Sequence, residues 1–118
     1  MNKQALATNN KAPHNKPLID METLELIVPI FRNVAHPLRL RIIDYLEQQG
    51  EARNVSDIVK AANAGQAIVS QQLRILKDQG VLAAKREGNH VLYCISDPSV
   101  LTLLECIRNR QLQLKIES

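Results

Sequence analysis

The 118-residue sequence has no tryptophan, one phenylalanine and two tyrosines, so aromatics make up 3% of a chain that is 45% apolar. A core without aromatics must be packed from Leu, Ile, Val and Ala, a composition that favours helices. Only four glycines are present. They leave little room for a phosphate-cradling loop, and no nucleophile has a partnered base in view, so the sequence argues against an enzyme. The two cysteines, Cys94 and Cys106, make no disulfide framework and lack the C-x-x-C spacing of a zinc site. Apolar runs fall far short of the ~20 residues that a membrane span needs, and the polar N-terminus lacks the apolar segment of a signal peptide. A cytoplasmic protein with free thiols is expected. The length suits one compact domain, and the formal charge of +3 suits a polyanionic partner without requiring one.

What is present is helical periodicity. Residues 1–19 carry Pro13 and Pro17 and no apolar pattern, and read as a disordered, slightly basic tail that aids solubility or grazes DNA. From Asp20 onward, residues 20–118 read as the folded domain. Leu24, Ile27, Val28, Phe31 and Val34 outline a first helix, which Pro29 should bend or divide. After a break at His36-Pro37, Leu38, Leu40, Ile42, Ile43 and Leu46 outline a second, stopped by Gly50. Asn54 and Ser56 offer caps for a short third helix through Ile58, Val59 and Ala62, and Asn63-Ala64-Gly65 makes a tight turn into a fourth that ends at Gly80. Two strands, 81–85 and 90–95, flank a turn in which Gly88-Asn89 supplies positive φ angles, and Asp97-Pro98-Ser99 opens a last helix. The predicted fold is mainly α with a small β-hairpin wing: a winged helix-turn-helix of five helices in the order α-α-α-α-β-β-α.

The fourth helix carries the most specific signal. Residues three and four apart share a face, so Val69, Leu73 and Leu76 form the buried stripe. Gln66, Ala67, Ser70, Gln71 and Arg74 lie together on another side, with Gln72 expected among the polar residues. An ordinary solvated face interleaves Glu and Lys; this helix has no acidic residue before Asp78. Glutamine pairs both amide groups with adenine and arginine pairs twice with guanine, each good pair discriminating by roughly 1–3 kcal/mol. The face is therefore read as contacting base edges in a major groove. Ile68 is expected to be at least partly exposed, edging into the core, with contact to a thymine methyl as the other reading. Near the hairpin tip, Lys85, Arg86, Asn89 and His90 are placed to reach phosphates or a flanking minor groove, weakened somewhat by Glu87.

The stretches VAHPLRLRIIDYL (34–46), VSQQLRILKDQGVL (69–82) and KREGNHVLYCISDP (85–98), in this order and spacing, resemble the ArsR-type (ArsR/SmtB) family of small winged-helix repressors over residues 24–110. The resemblance implies a homodimer formed through the first and last helices, a recognition helix bearing Gln66, Ala67, Ser70, Gln71 and Arg74, and a wing bearing Arg86, Asn89 and His90. The dimer has independent support, because the apolar faces of the first helix (Leu24, Ile27, Phe31) and the last (Leu103, Leu104, Ile107) exceed what a small winged helix needs. A twofold dimer sets its recognition helices ~34–36 Å apart and predicts a pseudo-palindromic double-stranded DNA operator.

The resemblance also implies sensing positions, and they do not assemble. Where arsenic and cadmium sensors carry a Cys-x-Cys type cluster, this chain has RNVSDIVK (53–60). Where zinc, nickel and cobalt sensors carry Asp-x-His and a later His pair, it has Asp97-Pro98-Ser99 and then Arg110 and Gln113. The paired cysteines of persulfide sensors fall on Asp44 and near Leu112. No metal or cofactor is expected, and the effector stays open. Cys94 and Cys106 are expected as small apolar residues, with a thiol-based redox switch as the alternative and arginines 108 and 110 the only hint of an activated thiolate. His36 is expected to cap a helix, while His14 lies in the tail. An alternative of another class is a helical protein-interaction module, which a steep fall of DNA affinity with salt would exclude.

Overall fold

Three helix starts are fixed by side chains that the sequence places just ahead of them. In the computed structural model, which describes residues 15–117, the Thr23 amide donates to Asp20 Oδ1 (2.7 Å), opening α1 (Met21–Val34). The Leu38 amide donates to His36 Nδ1 (3.2 Å), with Pro37 at the first position of α2 (Pro37–Gln49). The Asp57 amide donates to Asn54 Oδ1 (2.9 Å), opening α3 (Val55–Ala62). Each satisfies an amide left without an intrahelical acceptor. Asn63, at φ 53°, ends α3 in the left-handed region, and after two more residues the chain enters α4 (Gln66–Asp78).

A Schellman motif closes α4. With Gly80 at φ 78°, its amide donates to the Lys77 carbonyl and the Val81 amide to the Leu76 carbonyl, both at 2.9 Å. Val81 and Leu76 are both fully buried, so the chain turns off the helix directly into β2 (Leu82–Glu87), then β3 (His90–Ile95) and α5 (Ser99–Glu117). The hairpin turn has positive φ at Gly88 alone (63°), the sign pattern of a type II′ turn, so Asn89 does not take the positive φ expected of it.

The sequence reading missed a strand. Arg53–Asn54 forms β1, antiparallel to β3 with Arg53 opposite Tyr93 and Asn54 opposite Leu92, so the sheet runs β1-β3-β2 and the chain order is α-α-β-α-α-β-β-α. Two residues carry no alternation from which a strand could be read. Asn54 does double duty, since its backbone pairs with β3 while its side chain caps α3.

Pro29 neither divides nor ends α1, which runs unbroken. Pro29 and Glu25 are both exposed, so the carbonyl that loses its N–H partner faces water rather than a dry core. The core is drawn from every other helix and the start of β2: Ile42, Ile43, Ile58, Val69, Leu73, Leu76, Val81 and Val100 are fully buried, Leu82 is 2% exposed, α1 adds Val34, and Tyr93 and Ile95 of β3 pack against it half-buried. Each such side chain contributes about 1.5–3 kcal/mol by leaving water. Leu104, expected on the dimer surface, is 6% exposed and belongs to this core; α5 turns it inward beside Val100, one helical turn earlier. Most of the expected tail (residues 1–14, including His14) lies outside the described residues. Residues 15–20 form neither helix nor strand and are exposed. Among the described residues no helix is long and apolar enough to cross a membrane.

Candidate nucleic-acid interface

α4 has two chemically distinct sides. Val69, Leu73 and Leu76 are fully buried against the core, while Gln66, Ala67, Gln71 and Arg74 are exposed and Ser70 is half-buried. The five residues expected to read bases therefore share one outward face, free of carboxylate until Asp78.

Gln72 does not belong to that face. It is 8% exposed, and its Oε1 accepts a hydrogen bond from Arg39 Nε (2.5 Å), while Arg39 Nη1 donates to the Asn33 carbonyl (2.7 Å). One guanidinium on α2 thus ties the end of α1 to the back of α4. A buried amide is tolerable only when hydrogen-bonded, and Arg39 supplies that bond. The signal was in the spacing: Gln72 lies three residues after Val69 and four before Leu76, within the buried stripe.

Ile68 is 53% exposed, in keeping with the partial exposure expected of it, but it lies one turn before Gln71 on the outer side and does not join the core. α4 also starts without a side-chain cap, since Gly65 is its N-cap. Its first amides lack the side-chain partner that α1, α2 and α3 possess in the Asp20 carboxylate, the His36 imidazole and the Asn54 carboxamide oxygen.

The hairpin splits the expected wing residues. Glu87 lies opposite His90, Arg86 opposite Val91 and Lys85 opposite Leu92. Opposed residues share a face, so His90, Glu87 and Lys85 lie on one side, Arg86 on the other and Asn89 at the turn. All five are exposed. Lys85 Nζ lies 3.8 Å from Glu87 Oε2, which offsets part of the positive charge on that side and leaves Arg86 as the cation of the opposite side.

Residues 36–84 match the sequence profile of the bacterial regulatory proteins of the arsR family. Over 85 residues the chain is 34% identical to Rv0081, an HTH-type transcriptional regulator of Mycobacterium tuberculosis, covering 71% of this chain and 73% of that protein. The chain belongs to the arsR family. It is also 30% identical over 89 residues to the transcriptional repressor PagR of Bacillus anthracis, covering 75% of this chain and 88% of the relative. The crystal structure of AntR, an antimony-specific transcriptional repressor, superposes with a TM-score of 0.75 at 33% identity over 85% of this chain and 92% of that one. This arsR-family member is accordingly a DNA-binding transcriptional regulator with the winged helix-turn-helix fold.

Two positions to which the resemblance assigned sensing groups, Asp97 and Asp44, make other interactions here. Asp97 Oδ1 accepts from the Ser99 hydroxyl (2.7 Å) and the Ser99 amide (3.0 Å) at the start of α5, and these bonds hold its carboxyl below the ordinary value of 3.8. Asp44 forms a hydrogen-bonded ion pair with Arg108, linking α2 to α5. Among the described residues no three His, Cys, Asp or Glu side chains gather where they could hold a metal ion, and the side chains present do not fit one. His36 is engaged as the α2 cap. Cys94 is half-buried on β3 and Cys106 exposed on α5.

Of the apolar residues expected at a dimer surface, Ile27, Phe31 and Ile107 are exposed, and Leu24 and Leu103 half-buried. Leu26, Val28, Leu112, Leu114 and Ile116 extend these surfaces. Beside Ile107 an open groove continues along α2 and α3, lined by Leu40, Tyr45 and Ala61.

Proposed function

We propose that two copies of this chain pair through α1 and α5, and that the dimer sets its two α4 helices into successive major grooves of a pseudo-palindromic operator as a repressor in the cytoplasm, acting by binding rather than catalysis. The observation that carries this reading is the acid-free outer face of α4. Gln66, Ala67, Ser70, Gln71 and Arg74 stand together there, while Val69, Gln72, Leu73 and Leu76 hold the helix from behind. Gln66, Gln71 and Arg74 read base edges, Ser70 and the uncapped first turn of α4 meet base or phosphate oxygens, and Arg86, Asn89 and His90 reach the backbone or the neighbouring minor groove. The apolar side chains left exposed on α1 and α5 support pairing, because a monomer would present them all to water.

Selection of bound fragments from genomic DNA with purified protein tests this directly. Recovery of one site with twofold symmetry supports it, and equal recovery of unrelated duplexes refutes it. On the recovered operator Arg74→Ala should relax preference at one base position, whereas Arg86→Ala should weaken all sequences alike and flatten the salt dependence. Diamide added to the complex tests the cysteines: release that persists in the Cys94→Ser and Cys106→Ser variants excludes thiol switching.

A further inference from the structure

Among the described residues, the large apolar side chains that remain exposed fall into two stretches, residues 18–31 and residues 107–116, with one exception. Both stretches border or form the surfaces that pairing of two copies would cover. The exception is Ile68, 53% exposed at the third position of α4. No dimer contact through α1 or α5 accounts for it.

Its surroundings narrow what it meets. Gln71 lies one turn further along the helix, on the adjoining row with exposed Ala67 and half-buried Ile75, while Gln66, Ser70 and Arg74 stand further round the outer face. A general protein-binding patch would extend the apolar surface. Here a single exposed branched hydrocarbon tip stands at the edge of the reading face beside the Gln71 amide, which fits a small apolar group next to hydrogen-bonding groups. In the major groove one group fits that description, the C5 methyl of thymine, which lies beside the O4 acceptor of the same base and the N6 donor of its paired adenine. The first residues of a recognition helix are those that reach base edges.

We infer that Ile68 is a specificity-determining residue of this regulator, packing on the methyl group of one thymine in each operator half-site while Gln71 bonds to the same or the adjacent base pair. The inference rests on the placement of α4 in the major groove.

Deoxyuridine differs from thymidine only by lacking that methyl, so replacing each operator thymine in turn by deoxyuridine, with wild-type protein and with Ile68→Ala and Ile68→Val, tests it. For the wild type, one position per half-site should lose affinity by roughly fourfold, the worth of one buried methyl group. Ile68→Ala should bind the thymine operator more weakly and be indifferent to deoxyuridine at that position. Ile68→Val, which keeps a branched tip, should retain most of the discrimination. Ile68 lies outside the core, so the variants should unfold at the wild-type denaturant midpoint, which circular dichroism checks.

If the wild type binds its operator selectively and no thymine shows a methyl effect that depends on residue 68, the inference is wrong and the docking of α4 stands. If the wild type has no operator preference at all, the docking itself is wrong, and the role of Ile68 falls with it.

Discussion

Replacing Gln72 and Arg39 singly and together measures how firmly the back of α4 is held. Arg39 Nε and Gln72 Oε1 are 2.5 Å apart in a part-buried site, and the same guanidinium donates to Asn33 of α1 at 2.7 Å. A hydrogen bond to a charged group contributes about 1.5–3 kcal/mol, and losing one partner strands the other. Gln72→Leu leaves Arg39 Nε without its acceptor. Arg39→Met strands the Gln72 amide, 8% exposed, and frees the end of α1 as well. Each single change should therefore cost about 2–3 kcal/mol, with Arg39→Met the larger. The double change replaces both partners by apolar groups and should cost much less than the sum, with a coupling of about 1.5–3 kcal/mol. Urea unfolding at one fixed protomer concentration reads this out, because dimerisation would otherwise shift the midpoint. Additivity within about 0.5 kcal/mol would refute the claim that the contact fastens α4. Operator affinity of folded Gln72→Leu should also fall, since its reading face would no longer be fixed from behind.

Three further outcomes follow from the geometry. Leu73→Ala, at a fully buried site, should cost about 2–5 kcal/mol in urea unfolding. Phe31→Glu or Ile107→Glu places a charge on the surface assigned to pairing; sedimentation should show a monomer, and operator affinity should collapse while helix content persists. The Asp20 and Asp97 carboxyls lie below their ordinary value of 3.8, chiefly through the Thr23 amide and the Ser99 hydroxyl respectively. A lowered folded value stabilises above the unfolded value and is lost as pH falls through the folded one. Helix content at the starts of α1 and α5 should accordingly decline in circular dichroism below about pH 4, and Asp20→Asn with Asp97→Asn should remove part of that dependence.

Much of the local chemistry that acts over three or four residues was legible in the sequence, though the Gly88-Asn89 turn was not read correctly. Asp20, His36 and Asn54 each hold a helix start, Gly80 ends α4, and the outward row Gln66, Ser70 and Arg74 follows from helical spacing. The misreadings share a physical cause: residue type was weighed above position or long-range partners. Gln72 was placed outside because it is polar, although its spacing assigns it to the buried stripe and Arg39, 33 positions away in sequence, satisfies it. Ile68, expected to be partly exposed, was still weighed toward the core because it is apolar. Leu104 was assigned to a partner although Val100, four residues earlier, marks the inward side of α5. β1 exists only because β3 returns beside it, a pairing with no local trace. Pro29 does not divide α1, because on the exposed side of a helix its lost bond can be replaced by water.

The dual engagement of Asn54 has a bearing on what operators can look like. The same residue is a rung of the sheet and the first clasp of α3, so the hairpin is fastened to the helix that leads into α4, like the fixed jaw of a caliper. In the docking proposed above, that fastening would favour operators whose half-sites keep one spacing between groove and wing contacts, with differences in half-site separation taken up at the joint between the two copies.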